Sequence, residues 1–153
     1  MNDDVHEVKV FSTLSFRQID TNNPFAAGFT YHTHRTRVVA VSPDGKWIAF
    51  GGWDETIHVC ELVKGGRSLT YRGHKDPVSA VCAIEWSPDS TYIASASNGE
   101  ATADIQVWEA TSGQLISLSR CDEEGVISLA WSPDGQRVAA SFSGGLIYVW
   151  PAR

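Results

Sequence analysis

The chain has 153 residues, 42% of them apolar, which suffices for one domain, and nothing in it marks a second. Its net charge is −6, and the basic residues are scattered, not gathered into a stripe, which argues against a dedicated nucleic-acid surface and toward protein partners. No apolar run approaches a membrane span, the acidic start Met1-Asn2-Asp3-Asp4 is not that of a secretory signal, and three widely spaced cysteines, Cys60, Cys82 and Cys121, read as reduced thiols, so a cytoplasmic location is expected.

Residues 1–28 carry the least pattern. Val8-Lys9-Val10-Phe11 alternates like a strand, but Asp20-Thr21-Asn22-Asn23-Pro24 is turn chemistry that ends whatever precedes it. Both a degenerate half-unit and an arm lying across a neighbour fit this stretch. Phe29-Thr30-Tyr31-His32 then reads as a strand aligned with Leu69-Thr70-Tyr71-Arg72 further on.

Three units follow. The first, about residues 36 to 72, sets short strand-like runs on either side of Ser42-Pro43-Asp44-Gly45: Val39-Ala40-Val41 before it, and Trp47-Ile48-Ala49-Phe50 after it. Thr56 to Cys60 is a third run and Ser68 to Arg72 a fourth. The second unit, about 76 to 119, repeats this order around Ser87-Pro88-Asp89-Ser90, with Asp104 to Trp108 as third run and Gln114 to Leu118 as fourth. The third, about 124 to 150, does so around Ser132-Pro133-Asp134-Gly135 and stops after Val149-Trp150 without a fourth run. Ser42, Ser87 and Ser132 stand 45 residues apart.

The tetrapeptide recurs for a mechanical reason. Ser at the first position, Pro with its φ preset at the second and Gly at the fourth suit a type I turn, so each copy closes a hairpin. Ser90 stands where the other copies have Gly and fits that turn less well.

This order resembles the WD repeat, whose four-stranded antiparallel blades pack radially into a β-propeller: Gly73-His74, an apolar strand, Ser-Pro-Asp-Gly, a strand ending in small residues, a polar turn, then Ile105-Gln106-Val107-Trp108. The resemblance covers residues 29–153 and leaves 1–28 outside it. It implies an all-β chain of three blades, with Phe29 to His32 as a closing strand that completes a third blade lacking its own fourth strand. It also implies a structural hydrogen-bond network through His74, Ser97 or Ser95, Asp104 and Trp108 in the second unit, with Asp54 in the corresponding turn of the first. Cys60 replaces the repeat's Trp there, and Gly144 its Asp in the third unit. The same resemblance places Trp53, in the turn beside Asp54, on the mouth of the propeller, with Arg37, Lys75 and Asp76 sharing that rim as a partner-binding surface.

No catalytic constellation is expected, since the network accounts for the His, Ser and Asp of the second unit, and there is no nucleophile elbow, phosphate loop or zinc-protease helix motif. His32 and His34 lack a visible third ligand, and Asp122-Glu123-Glu124 reads as a solvated loop, so neither metal nor cofactor is expected. Three blades fall short of the four to eight that close a propeller. The chain is therefore expected to self-associate, two copies giving six blades, as a non-catalytic interaction scaffold. A small-ligand sensor or enzyme using the central channel, and a split piece of a larger propeller, are the alternatives.

Overall fold

The computed structural model describes residues 36–62, 66–74, 80–99, 102–122 and 125–153. The arm of residues 1–28, the closing strand Phe29, Thr30, Tyr31 and His32, and the rim residues Lys75 and Asp76 lie outside the described residues. Among those described there are eleven strands and no helix. They form three antiparallel sheets in chain order: β1 (Thr36–Val41), β2 (Trp47–Gly52), β3 (Ile57–Glu61) and β4 (Ser68–Tyr71); β5 (Ala80–Trp86), β6 (Tyr92–Asn98), β7 (Ala103–Glu109) and β8 (Leu115–Cys121); and β9 (Val126–Trp131), β10 (Arg137–Phe142) and β11 (Ile147–Pro151). Each sheet is one blade, and the strands expected from the repeat fall on these elements to within a few residues.

Each first hairpin is closed by the Ser-Pro-Asp turn through the same bonds. The amide of Gly45, Ser90 or Gly135 donates to the carbonyl of Ser42, Ser87 or Ser132, at 2.8 to 2.9 Å. The Ser hydroxyl donates to the Asp carboxylate two residues on and accepts the amide five residues on, as with Ser42 to Asp44 at 2.6 Å and Trp47 to Ser42 at 2.9 Å. The fourth residue is left-handed in all three copies, with φ of 70° at Gly45, 60° at Ser90 and 67° at Gly135. At this turn only the middle blade sets a side chain in that strained region.

A second repeat was hidden in the composition. The pairing of first with second strand slips between Thr36 and Val38, between Val81 and Ala83, and between Ser141 and Phe142, opposite Ser128 and Val126. Each blade therefore carries a β-bulge at one place, centred on Arg37, Cys82 and Ile127, which bends the strand just before it reaches the rim.

Two apolar clusters join the blades. Ala49, Ile57 and Val59 of the first blade meet Val81, Ile84, Trp86, Ile93 and Trp108 of the second. Ala94, Ala96, Ile105 and Val107, on the opposite face of the second blade, meet Val126, Leu129, Val138, Ala140 and Phe142 of the third. Burial of both faces is the reason the middle strands read as small and β-branched residues without polar alternation. The outer faces of the array show the reverse: Val39 and Val41 are 55% and 53% exposed, and Ile147 and Val149 are 69% and 58% exposed.

Candidate interaction surface

The joint between the first two blades is built from the end of β4 onward. Tyr71 lies flat against Trp108 of β7, with ring centroids 4.0 Å apart and planes within 4°. Its hydroxyl donates to Gln106 Oε1 at 2.6 Å, and Gln106 Nε2 donates to the carbonyl of Gly73 at 3.2 Å. A Cβ on Gly73 would stand 2.1 Å from the Tyr71 hydroxyl, which is why the residue before His74 is Gly. His74 then turns inward, its Nε2 hydrogen-bonded to Ser95 Oγ at 2.8 Å, while the Trp108 indole N–H donates to the same oxygen at 3.0 Å. Burial holds the His74 pKa down to about 4, so the ring is neutral, and burial likewise pushes the Tyr71 phenol up to about 12.

This selects between the two hydroxyls expected in the network and corrects one of its members. Its hydroxyl belongs to Ser95, not Ser97. Trp108 pairs with Ile93, so Ser95 is its diagonal neighbour on the same face, whereas Ser97 lies one pair further, opposite Asp104. Asp104 does not reach His74 at all: it meets Arg120 at 3.1 Å, directly across on β8. Asp54 accepts the amide of Thr56 at 3.4 Å within its own turn. In the first blade Phe50 and Cys60 occupy the places of Ser95 and Trp108, and His58 stacks on Phe50 at 5.4 Å between Thr56 and Thr70, each 3.1 Å away.

Trp53 and Arg37 are brought together at the rim. Trp53 is 55% exposed in the turn between β2 and β3, and the Arg37 guanidinium lies over its ring, 4.9 Å from the centroid. The β1 bulge aims Arg37 there, and the turn is held by Glu55 at φ 62°, where the corresponding turn of the third blade has Gly145 at 82°. A half-exposed indole capped by a guanidinium is a surface suited to recognition, since both side chains are over-represented among residues that dominate binding energy. The hidden signal was the bulge, which sequence spacing does not reveal.

Around the outer edge, a groove of about 840 Å³ runs between β4 and β8, floored by Leu69, Leu115 and Leu118 and walled by the Asp104–Arg120 pair. Burial pushes the thiols of Cys60 and Cys82 up to about 11, so they are poor nucleophiles. Among the described residues no three His, Cys, Asp or Glu side chains converge on a point.

Comparison with known proteins places these features in a family. The family model described as "WD domain, G-beta repeat" matches residues 26–61, 65–102 and 113–151. The middle match stops at residue 102, just before β7. The Ribosome biogenesis protein WDR12 homolog of Drosophila persimilis is 36% identical over 121 residues, 78% of this chain and 28% of that protein. An uncharacterized WD repeat-containing protein of Synechocystis, sll1491, is 36% identical over 99 residues, 65% of this chain and 27% of that protein. The chain spans less than a third of the length of these curated relatives.

Proposed function

The chain belongs to the WD-repeat family, and on that basis we propose that it is a non-catalytic scaffold whose open array is completed by further blades and whose rim, at Trp53 and Arg37, receives a protein or peptide. One observation carries the reading. Val39, Val41, Ile147 and Val149 are half exposed or more, while the residues at the same places beside a neighbouring blade are buried: Ile84 at 5% and Trp86 at 4% for the first pair, Ile105 at 4% and Val107 at 3% for the second. The exposure follows from position in the row, not from the residues chosen. Surfaces of this kind are contact surfaces.

Two copies of the chain fill both open faces at once and give six blades, within the range that closes a propeller. Lys75 and Asp76 join the rim in this reading, and the cytoplasm is its proposed compartment. The ribosome biogenesis in the name of the Drosophila relatives belongs to proteins that this chain matches over 28% of their length, so the scaffold role is carried across and the pathway is not.

Light scattering over a dilution series tests the association: a native mass twice the chain's 16.7 kDa is expected, and a monomer at every concentration would overturn it. Peptides selected from a displayed library on the purified chain test the rim. Trp53→Ala and Arg37→Ala should weaken them by about tenfold or more. Binders indifferent to both changes would move recognition away from this edge.

A further inference from the structure

The blades are joined by a bond that repeats as faithfully as the turns. The indole N–H of Trp86, the last residue of β5, donates to the carbonyl of Ala40 in the preceding blade at 3.2 Å. That of Trp131, the last residue of β9, donates to the carbonyl of Glu85 at 3.1 Å. Donors and acceptors both stand 45 residues apart, one repeat. The next acceptor in the series is the carbonyl of Ala130, and among the described residues no indole reaches it. The donor position of the first blade is occupied by Val41, whose side chain carries no N–H and which is 53% exposed.

We propose that the open face of the third blade, at Ala130, Ile147 and Val149, is a seat for the first strand of a second copy of this chain, and that residue 41 of the incoming strand sets how tightly the seat is held. The occupant is argued from continuity with the two joints already present: each seats a first strand against the first and second strands of the preceding blade, in one apolar cluster with β-branched residues of its third strand, and latches it by an indole on a backbone carbonyl. Ile57 and Val59 belong to the apolar cluster of the first joint, Ile105 and Val107 to that of the second, and Ile147 and Val149 hold the same register on β11. A second copy brings Val39 and Val41, apolar but without the latch. Its joint then has the packing of an internal joint and lacks the one bond that both internal joints make, so the assembly parts there first. The inference rests on the reading of the open faces as blade contacts, and separates from self-association at native strength by its test.

The test is Val41→Trp in the full chain, with Val41→Trp/Val149→Asp beside it, each followed by light scattering or sedimentation over a dilution series. Positions 41 and 149 are exposed, so both variants should retain the wild-type urea midpoint in the monomer. Val41→Trp should lower the dissociation constant by about tenfold or more, and the added Val149→Asp should abolish the gain. A wild-type monomer that Val41→Trp converts to a dimer supports the seat and overturns association at native strength. A wild-type dimer that Val41→Trp fails to tighten, or a tightening that survives Val149→Asp, overturns the seat and leaves association standing. Monomers throughout overturn both.

Discussion

Tyr71 and Trp108 face each other in parallel across the joint of the first two blades, and the Tyr71 hydroxyl closes over Gly73, the residue that leads into His74. One side chain thus packs the joint, bonds Gln106 and forbids a Cβ at position 73.

Gly73→Ala follows directly. The added methyl would overlap Tyr71 Oη and Gln106 Oε1 at 2.1 and 2.5 Å, and neither can withdraw without breaking the 2.6 Å bond between them. A loss of about 2 to 4 kcal/mol is expected, of the size that overpacking and a disrupted buried hydrogen bond give together. Urea unfolding followed by Trp fluorescence measures it. A change within about 0.5 kcal/mol would mean that Tyr71 has another place to go.

Two left-handed side chains offer the opposite experiment. Glu55 and Ser90 hold φ of 62° and 60° where equivalent turns use Gly. Glu55→Gly should raise stability by about 0.5 to 1 kcal/mol, relieving the left-handed penalty less the added freedom of Gly in the unfolded chain. Ser90→Gly should gain less, because the Ser90 hydroxyl accepts the amide of Asp44 at 3.1 Å across the blades. Equal gains would show that this exposed bond contributes nothing; a loss at Glu55 would refute the strain.

The three Ser-Pro-Asp turns made the hairpins readable, because their geometry is satisfied within five residues of chain by Ser and Asp side chains alone. The two-residue period of a strand then sets which residues share a face, whatever their polarity. What spacing could not tell was reach along that face. Ser95 and Ser97 point the same way, and only the pairing of Ile93 with Trp108 selects between them. Asp104 likewise depended on which residue of β8 stood opposite. The indole latches were half visible, as a Trp before two of the three turns, but their acceptors are backbone carbonyls of another sheet, set by the rotation between blades, which no local pattern encodes.

Acid should weaken the fold in two stages. His74 has its pKa held near 4 by burial, below the ordinary 6.5, so the unfolded chain binds the extra proton first. Its contribution is whole above pH 6.5 and is lost as pH falls toward 4, by about 3 kcal/mol if the full shift is expressed. Asp44, Asp89 and Asp134 are held below the ordinary 3.8, first by the Ser hydroxyl of their own turn, so what they contribute is present above that value and is lost as pH falls further through their folded values. Unfolding free energy measured from pH 7.5 downward should fall already between 6.5 and 4. His74→Gln, though less stable throughout, should flatten that segment alone. A flat wild-type profile in that window would place the imidazole in contact with solvent.

Exchange of the indole protons tests the latches without altering the protein. Trp86 is buried, so slow exchange there follows from burial alone. Trp131 is only partly buried, and protection of its N–H must come from the 3.1 Å bond to Glu85. Trp108, bonded to Ser95 in the core, sets the protected limit, and Trp53, half exposed on the rim, sets the free one. The expected order by NMR is Trp108 and Trp86 slowest, Trp131 well protected, Trp53 at the solvent rate. Removing the Trp131 donor by Trp131→Phe should then cost about 1 kcal/mol for the bond plus a smaller amount for ring area, since part of that ring remains in water. If Trp131 exchanges as fast as Trp53, the carbonyl of Glu85 is not its partner in solution, and the repeat of this bond along the chain loses its second instance.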